Sequence, residues 1–213
     1  LLGFLTGGSP TPWHQIQCVD PVPIAGPPPP PPPPLTCPIT SLVYPHTGTL
    51  GVIWTYASTL PCDFSVMTGI GQNLSLLYGE YMTLRSYAAG VGIIIDATSA
   101  FRPREYQAHL YEVFQKYNQI ATLTPTQRAA CGALITQIEN DYSGHGLGGT
   151  VAPPGQSPHE AGRGLDLSVS GNRFADVNQI AIDVGIRLRW QAIQNDPWHF
   201  NLINPPYTGP GCQ

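Results

Sequence analysis

The sequence predicts an α+β fold, a small central antiparallel sheet with flanking helices, and three observations carry that expectation. Apolar residues recur at helical spacing in several long stretches. Shorter β-branched or alternating runs, bounded by turn residues, read as strands. The two kinds of element are mixed without the regular βαβ alternation of a parallel sheet, and no internal repeat is visible.

The first forty residues are dominated by turn formers and end in eight consecutive prolines at 27–34. Such a run adopts polyproline II, about 3.1 Å per residue, and reads as a stiff spacer; a ligand for a proline-binding module is the alternative. The expected organisation is a spacer over 1–40 and one domain over 41–213, with the folded part starting between 40 and 60. From Asn73 to Gly90 the apolar spacing is helical and closes on a glycine suited to a helix end. The β-branched run at 91–99 reads as a buried strand. Pro103 is expected at the first position of a helix over 103–117. A capping box, Thr124 with Gln127, and Pro125 at N1 predict a helix over 124–138. A glycine- and proline-rich loop at 142–158 follows, then a strand at 162–169, a helix at 172–186 and a last short strand at 196–203.

The length, 213 residues with 42% hydrophobic, suits one well-cored domain with extra segments or two small ones. Only 10% of residues are charged, the formal net charge is −4, and Lys116 is the single lysine. No basic stripe interleaves with aromatics, which argues against a nucleic-acid groove. No apolar run approaches the ~18 residues that span a bilayer. The opening "LLGFLTGGSP" lacks a methionine and a basic leader region and reads as a processed or truncated start. The five cysteines (18, 37, 62, 131 and 212) hint at an oxidising compartment. Cys131, in the apolar helical context "RAACGALI", is expected to be a buried free thiol, leaving the other four to pair in any of three ways.

Several apparent motifs fail on context. "GHGLGG" at 144–149 fits a dinucleotide fingerprint in letters, but it runs into "TVAPPG", where prolines forbid the required helix. "GQSPH" at 155–159 begins like a nucleophile elbow but lacks the closing glycine. "HEAGR" at 159–163 begins like a zincin helix, yet Arg163 stands where a second histidine belongs, so Glu160 reads as a solvated loop residue.

"SPHEAGRGLDL" at 157–167 survives. His159 and Asp166 are seven apart, and on one continuous strand they would face opposite ways. Gly162 and Gly164 permit the bend that would let them converge. The expected layout is a loop histidine, a tight glycine turn, and an aspartate on the strand that follows. Of the other histidines, His14 and His46 fall in or near the proline-rich region, His109 in a helix and His145 in a mobile glycine loop. His199 lies in "NDPWHFNL", where a turn at Pro197 would bring it together with Asp196. Two histidines and a carboxylate with an open fourth position is the catalytic zinc pattern, in which bound water reaches a pKa near ~7. An unliganded carboxylate beside it, the role that suits Asp196, can carry a proton to a leaving amine.

These residues resemble the S-x-H-x-x-G-x-A-x-D motif of the zinc D-alanyl-D-alanine carboxypeptidase family, which includes VanY-type carboxypeptidases and related L-Ala–D-Glu peptidoglycan endopeptidases. Ser157, His159, Gly162 and Asp166 match, and Gly164 replaces the small alanine. "DPWHF" is similar to the family's E-P-W-H segment, with Asp196 for glutamate. "TSAFRPREYQ" resembles S-G-Y-R-S-x-x-x-Q through Ser99, Arg102 and Gln107. The resemblance covers roughly residues 70–205. It implies zinc held by His159, Asp166 and His199, with Asp196 as general base and acid. Arg102 would steady the oxyanion or the substrate carboxylate, and Ser99, Gln107, Ser157 and Trp198 would contact substrate or line the cleft. The implied substrate is a peptidoglycan stem peptide, and the implied place is extracytoplasmic (secreted or wall-associated) or a phage lytic protein. Asp196 is the acid of some endopeptidases, whereas Pro-Trp-His is the carboxypeptidase pattern, so both cleavage modes stay open. A zinc-holding binding module on the same fold is a third reading, against which the presence of both Asp196 and Arg102 argues.

Overall fold

In the computed structural model the described residues are 36–43, 52–54, 64–192, 196–209 and 211. The proline run, His14, His46, Cys18, Cys62 and Cys212 lie outside them.

Helix α1, Phe64–Gly90, buries Ile70, Leu74, Leu77, Tyr81, Leu84 and Ala88. Their spacing alternates four and three, which puts them on one face. The buried Ile70 draws the helix start ahead of the expected Asn73. Val91 and Gly92 form the closing turn, with Gly92 at φ +75° and Ile93 N–H donating to the Ala88 carbonyl. Strand β1 therefore runs only over Ile95–Ser99, not from 91.

Strand β2, Gly164–Val169, pairs antiparallel with β1, and the register shifts between Ala97 and Ser99. Strand β4, His199–Leu202, pairs on the other side of β2 and sets Asp166 directly opposite His199. The sheet order is β1-β2-β4-β3. Strand β3, Leu188–Trp190, was not expected: three residues are too short to show a period. Helix α5, Phe174–Asp183, is shorter than the 172–186 expected and follows a 3₁₀ turn at Ser170–Asn172. α1 and α5 pack on each other and on the sheet, and Leu165, Leu167, Leu188 and Phe200 complete this core.

Helix α2, Arg104–Ile120, begins one residue later than expected, with Pro103 as its N-cap. The Thr124–Gln127 capping box forms with Pro125 at N1. The helix that it starts, α3 (Pro125–Ala130), breaks at Cys131, and α4 continues over Gly132–Gly144. Cys131 is not the expected free thiol: it is disulfide-bonded to Cys37, 94 residues away in sequence. An apolar helical context marks a buried cysteine but does not exclude a partner that approaches from a distant loop. Residues 37–43 lie as a strap along α2. Ile39 is buried with Val113, Ile120, Ile135 and Ile138 in a second apolar cluster. The Lys116 ammonium donates to the Thr40 and Ser41 carbonyls at 2.8 and 2.6 Å, and Glu112 accepts from Val43 N–H at 2.9 Å. Among the described residues, no helix is long and apolar enough to cross a membrane.

Candidate metal centre

The candidate ligand set comes from two adjacent strands and the turn before one of them. Asp166 of β2 and His199 of β4 face one another across the antiparallel ladder. His159 precedes β2 on a turn closed by Gly162 N–H to the His159 carbonyl and by Arg163 and Gly164 N–H to the Pro158 carbonyl. Two glycines make that turn possible. Gly162 sits at φ +69°, and a Cβ on it would lie 2.9 Å from the Ile70 carbonyl. A Cβ on Gly164 would lie 2.9 Å from the His159 nitrogen, so the histidine packs where a side chain would otherwise be. Loop histidine, glycine turn and strand aspartate thus stand as the sequence suggested.

Three atoms converge: Nε2 of His159, Nδ1 of His199 and Oδ1 of Asp166. Their separations are 3.2 Å between the imidazoles, 3.0 Å from His199 to Asp166 and 3.3 Å from His159 to Asp166. Atoms about 2.0–2.1 Å from one tetrahedral ion stand about 3.3 Å apart, so the set has the dimensions of three ligands to a zinc-sized ion. The opposite ring nitrogens are committed elsewhere. His159 Nδ1 lies 2.7 Å from the Ala100 carbonyl, which can only accept, and His199 Nε2 lies 3.0 Å from Oδ1 of Asn201. In its neutral form each ring would then turn a lone pair inward, the tautomer a metal requires. Two imidazole nitrogens and a carboxylate oxygen at these distances fit a divalent metal.

Burial alone would raise the Asp166 carboxyl, but His159 and His199 together hold it well below the usual carboxylate range. Burial lowers His159. It would lower His199 too, but the Asp166 hydrogen bond and charge outweigh it and raise that imidazole. Burial first, then repulsion from Asp166, pushes the Asp196 carboxyl up. Oδ1 of Asp196 is buried without a hydrogen-bond partner among the described residues, a costly arrangement that suits an acceptor held ready for a proton.

These groups share a cleft of about 580 Å³, which Ser99, Arg102, Gln107, Ser157 and Trp198 also line. The Arg102 guanidinium approaches Oδ2 of Asp166 at 3.6 Å and donates to Oε1 of Gln107 at 2.9 Å. Gln107, fully buried, passes the connection on by donating to the Ala152 carbonyl at 2.6 Å. The Pro197 turn between Asp196 and His199 is held by the Trp190 indole, 2.6 Å from the Pro197 carbonyl.

Sequence reasoning misplaced or missed several neighbours. Glu160, expected in solvent, is buried: its carboxylate accepts from Gly155 and Ser157 N–H and ties the loop into the turn. His145 is not in a loose loop but caps α4, 2.9 Å from the Tyr106 hydroxyl. Asn73, wholly buried in α1, donates to the Ala161 and Tyr207 carbonyls and fastens the metal turn to the core. Asn201 carried one available signal, its place two residues beyond a candidate ligand on a strand, hence on the same face.

A family model, VanY: D-alanyl-D-alanine carboxypeptidase, matches residues 76–204, which include every residue of this cleft named above. No curated protein matches the chain. Two solved structures are similar at 16% identity. One is the vancomycin-resistance D,D-pentapeptidase VanY from the VanB-type resistance cassette, a mutant in complex with Zn(II). Its TM-score is 0.35, with 70% of this chain and 77% of that one covered. The other is VanYB in complex with D-alanine-D-alanine, with a TM-score of 0.36 and coverages of 75% and 81%.

Proposed function

The chain belongs to the VanY D-alanyl-D-alanine carboxypeptidase family, and we propose on that footing that it is a zinc peptidase that removes the terminal D-alanine from peptidoglycan stem peptides. The observation that carries the reading is the convergence of His159, Asp166 and His199 atoms within 3.0–3.3 Å, in one cleft with an Asp196 oxygen that has no hydrogen-bond partner among the described residues. His159, Asp166 and His199 would hold the ion. When bound, zinc supplies Lewis acidity, polarising the scissile carbonyl and bringing the pKa of water towards neutrality. Asp196 takes the proton from the attacking water and returns it to the leaving amine, so the carboxylate is regenerated at the end of each turnover. Arg102, kept aimed by Gln107, offsets the negative charge that develops on the carbonyl oxygen or receives the substrate carboxylate. Ser99, Ser157 and Trp198 form the walls against which the peptide lies.

The substitution of aspartate for the family's usual glutamate at 196 favours a second reading, cleavage within the stem between L-Ala and D-Glu. Mass spectrometry of purified muropeptides after digestion separates the two: free D-alanine identifies the carboxypeptidase, split stems the endopeptidase. In either case chelation should abolish release and added zinc restore it; full turnover by a thoroughly stripped protein would end the reading.

We also propose an extracytoplasmic site of action, in a secreted, wall-associated or phage lytic protein. The Cys37–Cys131 disulfide supports it, because such bonds persist in oxidising compartments and are rare in reducing ones. Alkylation of free thiols in freshly harvested cell fractions tests this, and a fully reduced pair in the native fraction would count against it.

A further inference from the structure

A cluster on the cleft wall has no part in the chemistry just described. The Tyr106 hydroxyl lies 2.9 Å from Nδ1 of His145, and Nε2 of His145 lies 3.1 Å from Nε2 of His109. The His145 ring meets Tyr106 and His109 edge-on, with centroids 5.4 and 5.0 Å away. Tyr106 and His109 are three apart on α2 and share a face; His145 arrives from the end of α4. His109 is buried, while Tyr106 and His145 line the cleft together with Arg102 and His159.

Packing alone does not require this chemistry. Burying imidazoles is unfavourable unless their nitrogens are bonded, and leucine or phenylalanine would join helix and loop without that condition. What a hydroxyl–imidazole–imidazole series adds is direction. A neutral imidazole donates from one nitrogen and accepts at the other, so the rings behind Tyr106 fix how its hydroxyl points. Burial pushes the phenol above its ordinary value against the pull of Arg102, so it stays protonated. A neutral, oriented hydroxyl is the partner for a peptide group, whereas a carboxylate would be met by Arg102.

We infer that Tyr106 is a substrate-positioning residue, hydrogen-bonding a peptide group of the bound stem, and that His145 and His109 hold its hydroxyl in place. The inference rests on the reading that this cleft takes D-alanine-terminated stems.

The test is steady-state kinetics of the zinc-loaded full chain on a synthetic stem pentapeptide. Tyr106→Phe should raise KM about five- to tenfold while kcat and zinc content stay within about twofold, the pattern of a lost binding contact. His145→Leu should do the same, and the double variant should show no further rise. His145→Asn, which restores a polar atom near the Nδ1 position, should bring KM back to within about twofold. An unchanged KM in Tyr106→Phe, or a fall in kcat at constant KM, would overturn the assignment. Absence of any wild-type turnover of the peptide would instead overturn the functional reading, and this inference with it.

Discussion

Replacing Asp196 by alanine separates holding the metal from using it. The proposed ligands are His159, Asp166 and His199, so the variant should retain one zinc per chain by elemental analysis while kcat falls about 10²–10⁴-fold, the worth of a positioned acid–base group. The pH profile adds a signed expectation. Burial and the Asp166 charge raise Asp196, and a base works only when ionised. Activity should therefore be lost as pH falls through the Asp196 carboxyl, an acid limb of kcat/KM that should vanish from the residual activity of Asp196→Ala. At this scale the sequence was informative about chemistry and poor about burial. His159, Asp166 and His199 were singled out by the family resemblance, because their spacing alone suits an ordinary loop as well as a ligand set. Glu160 was not, because a loop carboxylate looks the same in sequence whether it faces water or caps two backbone N–H groups.

The turn at 157–163 and the break between α3 and α4 are where element geometry has consequences. Gly162→Ala would place a Cβ 2.9 Å from the Ile70 carbonyl on a backbone at φ +69°. We expect a loss of about 1–3 kcal/mol, the usual cost of such strain. Weaker zinc binding, read by competition with a chromogenic chelator, should accompany it, since the same turn aims His159. Cys131→Ser, or reduction of the native protein, should lower stability by about 2–4 kcal/mol and shift the thermal melt accordingly, because a long loop is released in the unfolded chain. The long helices and the capping box were readable from period and caps. The three-residue β3 and the partner of Cys131 were not, because one depends on a neighbouring strand and the other lies 94 residues away.

Across the whole molecule, the strap at 37–43 bears on where the catalytic domain can be cut. Cys37 and Ile39, together with the Thr40 and Ser41 carbonyls gathered by Lys116, belong to the packing of α2 and α4. A chain beginning at residue 36 should melt as the full chain does and keep its specific activity. One beginning at 41 loses the disulfide and the buried isoleucine and should melt well below it. Parallel calorimetry of the two truncations checks this. Equal melting temperatures would show that the strap contributes nothing.

Sequence alone determined the α+β class and the turn that bends back at two glycines, and its resemblance to a known family singled out the residues proposed to hold and serve a divalent ion. Those are local or compositional properties: periodicity, backbone freedom and side-chain chemistry are written in the order of residues. Tertiary structure decided the rest. The β2–β4 register places Asp166 against His199, Ala100 and Asn201 fix the two tautomers, and the disulfide joins a loop to a helix break. Each of these depends on which distant groups meet in space, and no spacing along the chain encodes that meeting.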